Sequence, residues 1–466
     1  MFNDFFKKKK IIFIFSFFLV IGSSLIYLKP KIYKNRYLLR TTFPQLYVIY
    51  KNTQFKIKNF QNNQNKNNIQ EIPESKIIDN NVTSLIDEID SHWHSISKET
   101  ISAKGYLSVQ PRMSGGYMEF LNENLLIASN GTGELFTYNF INKKFQRIQS
   151  NLNSIYLEQN FKGKVIEKLK GTFSVKDLFL DQKESRLLVS MNLEIGNNTG
   201  CYGLGILKAK LPTNISNEVI DTLEFDNFFK TKECNSQFFG HGAGGRIKRL
   251  DEKIIFTVGD HDHNLHGDIN IPQDKKNAIG KVIAIDQNGN FEVLSMGHRN
   301  QQGLALFGNK IFTTEHGPKG GDELNLIIYG KHYGWPYYSY GFADITGADV
   351  HRHPHSGIYE KPIYYFSPSI AISEVVFYQG KEFPFWKNKF IVSSLKEKSL
   401  YLLDFDEKNN RIISQEKINI GHRIRDLNVS PSGKILIITD DGRIIRLSLI
   451  KRNQNKKVQK IKLPND

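Results

Sequence analysis

The sequence predicts an all-β fold, a six-bladed β-propeller of four-stranded antiparallel blades, on three observations. Six short apolar runs recur: LLIAS from Leu125, LLVS from Leu187, IIFTV from Ile254, IFTT from Ile311, FIVSS from Phe390 and ILIIT from Ile435. Their first residues lie 62, 67, 57, 79 and 45 positions apart, near the length that a four-stranded blade and its loops require. Several runs continue through a polar turn into a second strand, as in ASNGTGELFTYNF, SSLKEKSLYLLDF and TDDGRIIRLSL. Evenly spaced short strands without helical periodicity argue for a sandwich, barrel or propeller, and a sixfold irregular repeat favours the propeller. The uneven spacing places insertions in loops on one face.

Taken in order, residues 1–10 form a basic tail ending in Lys7 to Lys10, and Ile11 to Leu28 is an uncharged run of eighteen. That pattern fits a transmembrane anchor or a long secretory signal. Gly22, Ser23 and Ser24 make a poor cleavage site, which favours a retained anchor with the following residues in the periplasm or extracellular space, or a secreted form if it is cleaved. Lys29, Lys31, Lys34, Arg36 and Arg40 oppose the N-terminal lysines, so charge alone does not set orientation. Residues 29–97 read as a linker. Its stretch from Lys51 to Asn68 is dominated by Asn, Gln and Lys and cannot bury enough apolar surface to offset its ordering entropy. Near its end, SLIDEIDSHW within Asp79 to His94 reads as a short helix. The propeller is expected over 98–450, with a basic tail at 451–466.

The net charge of +16 suits anionic partners. No zinc-finger spacing, aromatic RNA-binding signature or helix-turn-helix pattern accompanies it, so no nucleic acid partner is expected. Cys201 and Cys234 are the only cysteines, which excludes a four-thiolate zinc site and leaves one disulfide or two thiols. An exported compartment permits the disulfide.

The densest polar chemistry lies in Gly297 to Gly341, around a short strand at Lys310 to Thr314. Four cations fall in loops at or near the ends of β runs: Arg299, Lys396, Arg423 and Arg425. In a propeller such loops converge on one end of the central channel, and the spacing of Arg423 and Arg425 points both to one side of an extended segment. A pocket so lined suits a small polyanion, since guanidinium groups pair with carboxylates in bidentate fashion. In EHGPKGGDE, from Glu315 to Glu323, turn carbonyls beside carboxylates offer hard oxygen ligands of the kind Ca2+ takes. Histidines cluster in GHGAGGR (His241), GDHDHNLHGD (His261, His263 and His266) and HRHPHSG (His351, His353 and His355). The latter two read as surface loops, with a transition-metal site as the alternative.

With these residues assembled, the chain resembles the glucose/sorbosone dehydrogenase family, soluble quinoprotein sugar dehydrogenases built as six-bladed propellers around pyrroloquinoline quinone (PQQ). The resemblance spans Gly115 to Leu449 and is strongest in GHRNQQGLAL, TEHGPKGGDELNLI, KHYGWPYYSYG, SPSIAIS, SSLKEKSLYLLDF and HRIRDLNVSPSGKI. It implies that Arg299 and Asn300 contact the quinone, that Lys396, Arg423 and Arg425 bind its carboxylates, and that Gly317 and Pro318 offer carbonyls to a Ca2+ on the cofactor. It also places Glu323 at a second calcium site. The implied reaction oxidises a sugar or polyol by hydride transfer to PQQ, with His241 as the base and an unidentified electron acceptor.

Two departures bear on that reaction. His241-Gly-Ala-Gly-Gly-Arg246 sets the base one position farther from the Gly-Arg pair than in the family. A one-residue slip would turn the side chain to the other face unless a bulge in this Gly-rich segment restores it. The segment that shapes the family's substrate side appears here as Gly171-Thr-Phe-Ser-Val-Lys-Asp177. The alternative is therefore a catalytically inactive propeller that binds a carbohydrate or a protein partner.

Overall fold

The computed structural model describes residues 84–107, 115–152, 154–155, 175–195, 202–212, 220–233, 242–263, 268, 270–341, 351–352 and 358–450. Six sheets form a closed ring. Blade 1 comprises Tyr117–Asn122, Leu125–Ser129, Leu135–Asn139 and Lys144–Ser150, and blade 2 comprises Val175–Asp181, Arg186–Glu194, Tyr202–Lys210 and Asp226–Lys230. Blade 3 comprises Gly244–Leu250, Lys253–Val258, Lys281–Ile285 and Phe291–Met296. Blade 4 comprises Gln301–Phe307, Lys310–Glu315, Asp322–Ile327 and Tyr364–Phe366. Blade 5 runs Ile372–Tyr378, Lys389–Ser394, Ser399–Asp406 and Arg411–Asn419. Blade 6 takes Ile424–Val429, Ile435–Thr439 and Arg443–Leu449 from the C-terminal side, then Ser95–Ser102 and Ser84–Asp90 from the N-terminal side.

Each of the six apolar runs seen in the sequence falls in the second strand of its blade. That strand has both faces covered, because blades stack face to face around the ring. Leu187 packs toward blade 1 while Leu188 packs toward blade 3, and Ile254 and Ile255 divide in the same way between blades 2 and 4. Burial on both faces explains why these strands read as continuous apolar runs rather than as alternation. The core is accordingly six layers of side chains, one between each pair of neighbouring blades among the described residues.

Blades 1, 3 and 6 differ from the expected four strands by carrying a fifth. Thr222–Leu223 and Lys331–His332 add as short parallel strands to blades 1 and 3. In blade 6 the fifth is Ser84–Asp90, which corrects the expected helix over Asp79 to His94 and moves strand structure into the expected linker. It pairs antiparallel with Ser95–Ser102, from Ser84 opposite Ile101 to Asp90 opposite Ser95. The connecting turn is closed by the Ser91 amide donating to the His94 carbonyl at 2.8 Å. Ile86 and Ile89 fit a helical spacing over so short a window, and pairing with the adjacent strand decides the outcome. Ser95–Ser102 in turn pairs with Arg443–Leu449, so N- and C-terminal strands close the ring within one sheet.

The innermost strands of blades 2 to 6 each break register near their start, at Val175/Asp177, Gly244/Ile247, Gln301/Gly303, Ile372/Val375 and Ile424/Asp426. In every case the inner strand holds one residue more than its partner, which is the definition of a bulge. In the Gly-rich segment after His241, where a bulge would offset the one-residue slip, the register shift lies at Gly244 to Ile247. Among the described residues no helix is long and apolar enough to cross a membrane. The N-terminal apolar run, the linker up to residue 83, the C-terminal tail, both cysteines and Gly171 to Ser174 lie outside the described residues.

Candidate active site

The bulged inner strands carry charge into the centre of the ring. Arg246 of blade 3 is buried, and its Nη1 lies 3.0 Å from Asp177 of blade 2, 2.7 Å from Glu374 of blade 5 and 2.8 Å from Asp426 of blade 6. Its Nε donates to the Gln302 carbonyl of blade 4 at 2.7 Å, and its guanidinium lies 4.8 Å from the Tyr117 ring of blade 1. One side chain therefore touches every other blade. Three carboxylates this close would suit a metal ion, but Arg246 already supplies the cation. Burial raises the Glu374 carboxyl to about 7, against the opposing pull of Arg246, so the cluster is held near the limit of its own charge. These four residues were not singled out in the sequence. For Glu374 the signal was a lone charge inside an apolar strand, ISEVVFY.

Arg246 also donates through Nη2 to the Arg425 carbonyl at 3.3 Å, which ties the channel plug to the cation group above it. Arg425 and Arg423 converge on Asp440: Arg425 donates through Nε at 2.9 Å and Nη2 at 3.1 Å, and Arg423 through Nε at 3.1 Å. The same-side placement expected from their spacing holds. Arg423 further donates to the Leu395 carbonyl at 3.3 Å, next to Lys396, whose amine donates to the Ser369 carbonyl at 2.8 Å. Lys396 and Arg423 stay about half exposed, at 53% and 49%, so both can turn toward a ligand.

A second group forms on blade 4. Arg299 donates to the carbonyls of His316 at 3.3 Å and Gly317 at 3.4 Å and lies 5.2 Å from the Trp335 ring. Arg299, Gly317, Pro318, Glu323 and Trp335 line one cavity. Arg299 is set there by Glu315, which accepts from its backbone amide and from His298 Nδ1 at 2.9 Å, while His298 Nε2 meets Ser295 Oγ at 2.8 Å. Gly317 is required by close approach, since a Cβ would fall 2.1 Å from the Gly320 carbonyl oxygen. Asn300 turns its amide oxygen to the Gly244 amide at 3.2 Å and to Gln302 Nε2 at 2.8 Å, bracing the Gly-rich turn of blade 3.

The two groups meet through buried titratable side chains. His316 is driven down to about 4 by burial, with Asp322 opposing and both Arg299 and Arg425 adding to the drop, so it stands within electrostatic reach of both arginines. Lys176, at the blade 2 bulge, is lowered to about 7 by burial and by Arg425. His261 is lowered to about 3 by burial, then by His263 and Lys176. Asp260 rises to about 7 through burial, with Arg299 opposing, and accepts from Trp335 Nε1 at 2.6 Å. Glu323 is pushed well up by burial and by Glu315.

His261 and His263 are 3% exposed, which corrects the expectation of a surface loop at that cluster. The His261 amide donates to the Gly242 carbonyl at 2.9 Å and the His263 amide to the Asp260 carbonyl at 3.0 Å. No histidine belongs to a candidate metal cluster among the described residues. His241 itself, His266, His353 and His355 lie outside the described residues, and His351 is described in backbone alone. What the structure fixes is the residue after His241: a Cβ on Gly242 would sit 3.1 Å from Asp260 Oδ1.

The sequence profile of the glucose/sorbosone dehydrogenase family matches residues 208–446, just over half of the chain. The chain belongs to the glucose/sorbosone dehydrogenase family. It is 32% identical over 234 residues to aldose sugar dehydrogenase YliI of Escherichia coli, covering 45% of this chain and 60% of that relative. It is 23% identical over 401 residues to quinoprotein glucose dehydrogenase B of Acinetobacter calcoaceticus, covering 65% of this chain and 84% of the relative. The PQQ-bound aldose sugar dehydrogenase of Streptomyces coelicolor shares the fold, with a TM-score of 0.52 at 16% identity over 76% of this chain and 98% of that one.

Proposed function

We propose that the protein is a PQQ-dependent sugar or polyol dehydrogenase whose cofactor pocket is the channel mouth formed by Arg299, Lys396, Arg423 and Arg425. One observation carries the reading. Arg299 is held on two carbonyls and an aromatic face, with no carboxylate among the described residues within ion-pair distance, beside two further cations left half exposed. A positively charged mouth of this kind calls for a ligand with several carboxylates, and PQQ carries three. The donor set also suits Ca2+, because the loop carbonyls of His316 and Gly317 already converge on a cationic group.

In this reading Lys396, Arg423 and Arg425 hold the carboxylates, Arg299 and Asn300 border the quinone, and Gly317 and Pro318 offer oxygens to calcium. When bound, the quinone supplies a two-electron acceptor for a hydride from the hydroxyl-bearing carbon. The chain contributes the rest. His241 takes the hydroxyl proton, Asp260 packs against the turn that follows it, and Arg299 places positive charge where negative charge develops. His316 stays neutral above about pH 4 and adds no charge to the pocket. The apolar run at 11–28 supports placing the propeller on the outer side of a membrane, with an electron acceptor there. The test is incubation of purified protein with PQQ and CaCl2, followed by dye reduction with a panel of aldoses and polyols. Turnover on a panel member is expected. Folded protein that binds PQQ without turnover would instead identify a silent propeller.

A further inference from the structure

Between the outer strands of blades 2 and 3 lies an open recess of about 530 Å³, a size suited to a small organic molecule rather than a bare ion. Lys230, Lys232, Lys275 and Lys276 line it, over a floor that includes Phe229 and Phe291. Gly289 lets the two blade edges close behind it, because a Cβ there would fall 2.9 Å from the Phe228 carbonyl oxygen, and its φ is +82°. Most lysines on the strands of this propeller face a carboxylate. Lys253 reaches Glu292 at 2.5 Å, Lys417 reaches Glu397 at 3.0 Å and Lys310 reaches Glu407 at 3.8 Å.

Of the four recess lysines, Lys230 lies on a strand and departs from that pattern, while Lys232, Lys275 and Lys276 lie outside the strands. No carboxylate among the described residues lies within ion-pair distance of any of them. Glu292, the acid that lines the recess, is engaged by Lys253 on the neighbouring strand. Asp274, next in sequence to Lys275, turns its carboxylate to the Lys276 backbone amide at 2.9 Å. Lys230 is half-buried, and burial lowers its amine below the usual lysine range with no acid to restore it. Four lysine side chains thus line one recess with no acid partner among the described residues, and a bound anion would supply the countercharge.

We infer that this recess is a second binding site, for a small multiply charged anion bearing phosphate or carboxylate groups, separate from the channel mouth. The amines supply the charge, and the phenyl floor accommodates an organic body. It adjoins the candidate active site through one short turn: Gln273, two residues before Lys275, donates to the Trp335 carbonyl at 3.3 Å and meets His332 Nε2 at 2.9 Å.

The experiment is calorimetric titration of the purified protein, without quinone or calcium, using inorganic phosphate in one arm and citrate in the other. Saturable binding in at least one arm is expected, and the two arms show whether phosphate or carboxylate is preferred. In the double variant Lys230→Gln/Lys275→Gln affinity should fall at least tenfold, with an unchanged melting temperature as the control on folding. Arg423→Ala removes a cation of the channel mouth, where a tricarboxylate such as citrate also fits, so the binding that survives in it belongs to the recess. Absence of binding in both arms, unchanged affinity in the double variant, or loss of the signal in Arg423→Ala instead would overturn the assignment.

Discussion

At the scale of single residues, Arg246 and Arg423 illustrate two different uses of a guanidinium. Arg246 is enclosed by three carboxylates and serves the ring; removing it leaves those carboxylates buried and uncompensated. Arg246→Met should therefore cost about 3–5 kcal/mol, read as a shift in urea midpoint near neutral pH. The loss should shrink in mildly acidic buffer, where the freed acids take up protons, and an equal loss at both pH values would contradict this account of the plug. Arg423 is about half exposed and shares Asp440 with Arg425, so its substitution leaves the ring intact. Arg423→Ala should weaken PQQ binding by about 1.5–3 kcal/mol in a titration, the worth of a charge-assisted hydrogen bond. Arg299, Lys396, Arg423 and Arg425 were legible in the sequence because they stand in polar stretches beside apolar runs, although Arg425 lies on the strand Ile424–Val429 and not in the expected loop. Asp177, Glu374 and Asp426 were not, because a single acid in a strand reads as a solvent-facing position until the closure of the ring turns that position inward.

At the scale of elements, blade 6 holds the ring together by joining the two ends of the propeller. Ile96 and Ile101 on Ser95–Ser102 are fully buried, one toward blade 5 and the other toward blade 1. Ile96→Ala should cost about 2–5 kcal/mol in chemical denaturation. Leu85→Ser on the outermost strand, at a position 62% exposed, should stay within about 0.5 kcal/mol. If the two substitutions cost the same, the closure does not rest on Ser95–Ser102. The second strand of every blade was visible in the sequence, since burial on both faces leaves an unbroken apolar run. The closing strands were not. SISKETIS and SLIDEID are half polar; SISKETIS is set by pairing with Arg443–Leu449, far away in the chain, and SLIDEID by pairing with SISKETIS. The bulges were equally hidden apart from the one at Gly244 to Ile247, where the glycines marked it.

At the scale of the whole molecule, the inner strands bring interacting acids and bases to the centre of the ring, and the energetics there should follow pH. Burial raises the Glu119 carboxyl from 4.5 to about 7, opposed by Lys248 and reinforced by Asp177. The folded protein then keeps a proton that the unfolded chain has released, so this group stabilises the fold below about pH 4.5 and that contribution fades as pH rises to about 7. Its size is on the order of 3 kcal/mol at most. Glu119→Gln should flatten stability between those pH values, and an unchanged pH profile would show that Glu119 titrates normally. The channel mouth above this centre is where the functional reading stands or falls. The most direct measurement is titration of the folded protein with PQQ in the presence of Ca2+, alongside the Arg299→Ala and Arg423→Ala variants. Saturable 1:1 binding that either substitution weakens at least tenfold is predicted. Folded protein that binds no PQQ, or binds it equally well in both variants, would contradict the account.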